Sequence, residues 1–134
     1  MMHTSPERDL EHLRHARRCA ARVAILVAVG ETAFFADVDK VDALCWNMYQ
    51  LADVTGKLSD AVRENHPEIP WRQIAGFRNF YAHAYEGIDP ERMWNDIGRG
   101  DVADLAEKLD AIYQELVSAP PAGSSGEKTT DQDP

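Results

Sequence analysis

The sequence predicts an all-α fold, an up-and-down bundle of four to five helices joined by short connectors. Three observations predict it. Apolar residues recur at helical spacing through most of the chain, no run shows sustained strand alternation, and Ser-Pro-Glu and Asp-Pro-Glu strings mark helix starts. With 134 residues the chain has the size of one domain, and 44% hydrophobic against 28% charged residues suits a packed core rather than wholesale disorder.

Ser5, Pro6 and Glu7 supply an N-cap, a first-turn proline and an acid at the positive end of the first helix. Behind them Leu10, Leu13, Ala16, Ala20, Val23 and Val27 form one apolar stripe, and Gly30 or the Ala33–Asp37 segment ends it. A second helix spans Asp39 to Asn65, with Val41, Leu44, Cys45, Met48, Leu51, Ala52, Thr55, Leu58 and Val62 on one face and Gly56 as a weak spot. The prolines of His66-Pro-Glu-Ile-Pro70 forbid helix continuation, and Pro70 suits the first position of a third helix running to about Tyr85. That helix carries Trp71, Ile74, Phe77 and Tyr81, and Gly87 stops it. Asp89-Pro90-Glu91 opens a fourth with Met93, Trp94 and Ile97; Gly98 and Gly100 break it before Asp101 caps a last segment, Val102 to Val117. Residues 1–118 therefore read as one helical domain. Residues 119–134 hold no large apolar side chain and read as a disordered tail.

The formal charge is −9, from 14 Lys and Arg against 23 Asp and Glu, which excludes coating nucleic acid by net charge alone. Removing the tail's three acids and one lysine still leaves the body at −7. Any RNA must be met at a local basic patch, for which Arg14, Arg17, Arg18 and Arg22 with Arg72 and Arg78 are the candidates. Cys19 and Cys45 have no CxxC spacing, which argues against a disulfide scaffold and a zinc site and fits a reducing cytosol. His12, His15 and Glu11 make no convincing metal cluster, and no cofactor motif is present. Only Val23 to Val29 is continuously apolar, against the ~20 residues a membrane span needs, so a buried helix and a cytoplasmic protein are expected.

The chemistry concentrates in Gly76-Phe-Arg78-Asn79-Phe-Tyr-Ala-His83-Ala-Tyr85-Glu-Gly87. Phosphodiester cleavage without a metal needs a group titrating near neutrality and a cation for the charge that builds on phosphate. His83 and Arg78 are of those types. Asn79 lies four residues before His83 on the same helical face, where Arg72 and Gly76 also fall. Arg78 is about 140° round from His83 at ~100° per residue. The two converge only if the arginine swings over, the helix loosens at His83, or a two-fold partner brings a second copy. Tyr85 falls near the face of Ile74, Arg78 and Tyr81, so the pattern alone also allows it to be core.

The string from His66 to Asp89 resembles the signature of the HepT-like family of HEPN-domain proteins. Its Pro-Trp-x-x-Ile-Ala-Gly entry, Arg-x4-His-x-Tyr core and Tyr-x-Gly-Ile-Asp exit carry the resemblance, which extends from about Leu10 to Tyr113. It implies a homodimeric, metal-independent endoribonuclease toxin with two Arg-x4-His motifs lining one cleft. Arg78 would hold the scissile phosphate, His83 would serve attack by the ribose 2′-hydroxyl, and Asn79 would position them. Asp53 stands in Leu51-Ala-Asp-Val54 where the family often carries Ile-Gly-Glu-Ala, one methylene shorter than that supporting acid. The implied partner is a minimal nucleotidyltransferase antitoxin that attaches AMP to the motif tyrosine, here Tyr85, and silences the toxin. A different class of function is also open: a catalytically silent helical dimer that binds a nucleotidyltransferase or a nucleotide.

Overall fold

The computed structural model describes residues 5–97 and 101–118. It is all-helical over those residues: α1 (Ser5–Val27), α2 (Glu31–Phe35), α3 (Val38–Thr55), α4 (Asp60–Asn65), α5 (Trp71–Ala82), a 3-10 turn (Ala84–Glu86), α6 (Pro90–Ile97) and α7 (Asp101–Ser118). The sequence-predicted breaks around Gly98 and Gly100 and the tail from residue 119 lie outside the described residues.

The apolar stripes dictate the packing. Leu13, Ala16, Ala20 and Val23 of α1 are fully buried, and α1 lies between α3 on one flank and α7 on the other. Leu44, Met48 and Leu51 of α3 meet that stripe, while Ile74, Phe77 and Tyr81 seat α5 on α3. Leu105, Leu109 and Ile112 hold α7 against α1, and Met93 and Ile97 bring α6 in beside them. Each such large side chain contributes ~1.5–3 kcal/mol of burial. The order α7, α1, α3, α5 follows from which stripe each helix presents.

The long second helix expected from the sequence is two helices. α3 ends at Thr55, whose hydroxyl donates back to Leu51 O (2.8 Å) and Ala52 O (3.2 Å), and Gly56 follows as its C-cap. Ser59 then caps α4, its hydroxyl accepting from Val62 N–H at 3.4 Å. A distant residue fixes this break. Asp9 of α1 is 6% exposed, and its carboxylate accepts from Ser59 N–H (2.9 Å) and Ser59 Oγ–H (2.7 Å). The periodicity of Leu58 and Val62 survives because both are buried, but the chain reaches them through a turn.

The end of α5 also differs from expectation, and it matters more. Pro70 precedes the helix rather than opening it, and the indole of Trp71 anchors the connector by donating to Arg63 O (3.1 Å) and His66 O (3.0 Å). At the other end the α-helix stops at Ala82, not near Tyr85. His83 is its C-cap at φ −103, ψ 12, a tighter turn follows, and Gly87 leaves it at φ +151, a conformation that favours glycine. Asp89 then caps α6 as the sequence suggests, accepting from Arg92 N–H at 3.2 Å.

Candidate active site

Because α5 buries Ile74, Phe77 and Tyr81, its polar positions face outward, and Arg78, Asn79 and His83 are all exposed. Helical period thus puts the polar members of the motif on the surface. What surrounds them is set by α3 and α6.

Arg78 is oriented from α3. Its Nε–H donates to Asp53 Oδ1 at 3.0 Å, and its guanidinium carbon lies 5.5 Å from the centre of the Tyr49 ring. Lys57 reaches the other oxygen of Asp53 at 3.4 Å. The Arg78 hydrogen bond, reinforced by Lys57, holds the Asp53 carboxyl below the usual carboxylate range, so it is ionised at neutral pH. Bonded to Asp53 through Nε and set beside Tyr49, the arginine is held in place, and its planar fork suits a phosphate. Asp53 therefore meets Arg78 and not the His83 ring.

His83 stands at the helix terminus instead of on a continuing helical face. Its Nδ1 is 3.6 Å from Glu86 Oε2, and its ring centre is 6.3 Å from that of Tyr85. With Asn79, Phe80, Glu86 and Gly87 it lines an open hollow of about 520 Å³. The shared face of Asn79 and His83 is thus one wall of a single hollow. Tyr85 lines a different, larger hollow, and Arg78 lines neither.

Tyr85 is 81% exposed, which removes the reading of it as core. Tyr81 is the core tyrosine. Its phenol donates to Asp96 Oδ2 at 2.9 Å, and Arg92 lies over the Phe80 ring at 3.9 Å while its Nε comes within 3.8 Å of the same Asp96 oxygen. Burial pushes both the Tyr81 phenol and the Asp96 carboxyl up from their ordinary values. This brace clamps the last turn of α5 immediately before His83. Sequence reasoning missed Asp96 and Arg92, which carry no spacing signal relative to the motif.

The other arginines proposed to meet RNA lie along α1 and at the start of α5. Arg14, Arg17 and Arg18 line a shallow hollow against α7. There Arg17 pairs with Asp110 and stacks on Tyr113, 3.8 Å from the ring centre, and Arg14 reaches the Tyr113 hydroxyl at 3.5 Å. Arg22 lines a separate hollow with Ile25, Leu26, Ala43 and Asn47, and Arg72 is exposed at the start of α5.

Among the described residues no three His, Cys, Asp or Glu side chains are grouped to hold a metal ion, and no helix is long and apolar enough to cross a membrane.

Comparison with known proteins gives this arrangement a context. A family model described as ribonuclease HepT-like matches residues 16–112. A protein named "Putative RNase" from Caldanaerobacter subterraneus subsp. tengcongensis is 24% identical over 110 residues, covering 82% of this chain and 96% of the relative. "Probable ribonuclease HepT" from Thermococcus cleftensis is 31% identical over 80 residues, 53% of this chain and 72% of the relative. A "Putative RNase" from Methanocaldococcus jannaschii is 27% identical over 62 residues, 46% of this chain and 56% of the relative. No solved structure matches the chain.

Proposed function

The chain belongs to the HepT-like ribonuclease family, and from that premise we propose that it is a metal-independent endoribonuclease toxin working as a homodimer. The observation that carries the reading is the end of α5. An exposed histidine sits at a helix terminus beside an open hollow, and one turn earlier an exposed arginine is pre-oriented by a carboxylate from a neighbouring helix.

In this reading Arg78 holds the scissile phosphate through its guanidinium and offsets the charge that develops on the non-bridging oxygens. An imidazole accepts the proton of the ribose 2′-hydroxyl as its oxygen attacks phosphorus. The bond from phosphorus to the 5′-oxygen breaks, and an imidazolium returns a proton to the leaving oxygen, giving a 2′,3′-cyclic phosphate and a 5′-hydroxyl. Because Arg78 and His83 face different surroundings in one chain, a two-fold pairing supplies the second copy of each group. Arg14, Arg18, Arg22 and Arg72 would then serve as backbone contacts outside the cleft.

The regulatory half of the reading concerns Tyr85. Its phenol is exposed and two residues from His83, which is what modification by a nucleotidyltransferase antitoxin requires. AMP attached there would place a bulky anion at the cleft, where it repels RNA phosphates.

The test uses protein shown by intact mass to lack AMP, incubated with total RNA in the presence of a chelator, beside His83→Ala. Cleavage by the wild type alone, with cyclic phosphate ends, is expected, together with a dimer by sedimentation. Folded, unmodified wild type that leaves RNA intact would move the protein to the silent binding-module reading.

A further inference from the structure

The larger hollow beside the motif, about 680 Å³, lies between α3 and the turn that follows α5. That size falls within the ~300–1,000 Å³ of small-molecule sites. Its walls include aromatic and aliphatic side chains: Trp46 and Tyr49 from one turn of α3, then Tyr85 and Ile88 from the segment after α5. Trp46 is 61% exposed although tryptophan is costly to leave in water. The Trp46 and Tyr49 rings are near parallel, 13° apart with centres 5.9 Å apart, so they present flat faces in the same orientation.

Tyr49 joins this wall to the catalytic motif. The same ring that neighbours Trp46 has the Arg78 guanidinium carbon 5.5 Å from its centre. Tyr49 therefore neighbours both the Arg78 cation outside the hollow and the Trp46 ring that lines it with Tyr49. Phosphate and base are likewise neighbours within one nucleotide. Asp42 adds an exposed carboxylate to the lining. It repels phosphate from the hollow, accepts from the amino groups of cytosine, adenine or guanine, and is repelled by the carbonyl-flanked edge of uracil.

The geometry points to a nucleobase subsite: an unpaired, amino-bearing base next to the phosphate held by Arg78 stacks on Trp46 and Tyr49, with Asp42 at its edge. This rests on the ribonuclease reading for what Arg78 holds, and it names the substrate as single-stranded RNA. In a duplex the bases are stacked and paired and cannot turn into the hollow. The adenine of an AMP on Tyr85 would compete for the same space.

The subsite is tested without cleavage, using wild-type protein and 2′-O-methyl tetranucleotides that lack the attacking hydroxyl. Oligocytidylate should quench tryptophan fluorescence and bind more tightly than oligouridylate or an abasic oligomer of the same charge. Trp46→Ala should weaken oligocytidylate binding about 5- to 150-fold, the range expected for losing one stacked base. Trp46→Phe should keep the binding and lose the quenching, so the result does not depend on tolerance of alanine. Equal binding of the cytidylate and abasic oligomers would overturn the subsite. So would a concentration-dependent blue shift of tryptophan emission without RNA that Trp46→Phe abolishes, which would show a second copy covering the hollow. RNA cleavage indifferent to Trp46→Ala would remove the subsite and leave the ribonuclease; quenching without any cleavage would do the reverse.

Discussion

The two flanks of α5 carry the same kinds of groups to opposite ends. On the flank toward the open edge of α3, Arg78 meets Asp53 beside the Tyr49 ring; on the flank toward α6, Arg92 and the Tyr81 phenol meet Asp96 beside the Phe80 ring. Each is a carboxylate, an arginine and aromatic rings. They differ in access to water. Asp53 is held ionised by its arginine, whereas burial raises Asp96 toward its protonated form. An exposed pair of this kind contributes little to stability and is available to a ligand; a part-buried one hydrogen-bonded to the buried Tyr81 is a clamp. The contrast teaches that residue type alone does not separate function from structure along this helix.

The sharpest way to break the comparison is to remove one member from each flank. Arg78→Ala should lower RNA cleavage on the order of 10²–10³-fold, as loss of one preorganised donor to a developing oxyanion does, while leaving the urea midpoint near wild type. If instead it unfolds the protein with no separable loss of activity, the open flank is structural. Next in size, Tyr81→Phe leaves Asp96 without its closest donor and should cost about 1–3 kcal/mol in urea unfolding. It should change cleavage only through the end of α5. A Tyr81→Phe variant as stable as wild type would deny the clamp.

The smallest effect is in pH, and its sign differs between the flanks. The folded pKa of Asp53 is lowered, so its stabilisation is present above the ordinary ~3.9 and is lost as pH falls through the folded value. That of Asp96 is raised, so its favourable contribution is present below ~3.9 and is lost as pH rises through the folded value. Urea titrations of Asp53→Asn and Asp96→Asn from about pH 3 to about pH 6 check this. The stability difference from wild type should slope in opposite directions for the two variants, and parallel slopes would contradict it.

Much of the fold was legible because burial follows period. The stripe from Leu13 to Val23, the Ile74, Phe77 and Tyr81 face, and the Asp89 start of α6 are where the pattern places them. The break after Thr55 was not legible beyond Gly56, since it depends on Asp9, fifty residues away in the chain, bonding Ser59. Trp46 did leave a trace: with Tyr49 it is an aromatic of the second helix that falls outside its apolar face. The arginine-to-carboxylate pairing of Arg78 with Asp53 spans two helices and leaves no such trace.

By itself, then, the sequence determined the helical class, the buried stripes, and the presence of an arginine, an amide, a histidine and a tyrosine in one short string. Those properties are local, set by spacing along a helix of fixed period. Only the tertiary structure decided that α5 ends at His83, that Asp53 orients Arg78, that Asp96 clamps Tyr81, and that Tyr85 faces solvent across from Trp46. Each of these depends on which helix is packed alongside, and the packing that brings distant residues together is not encoded in the spacing of any one of them.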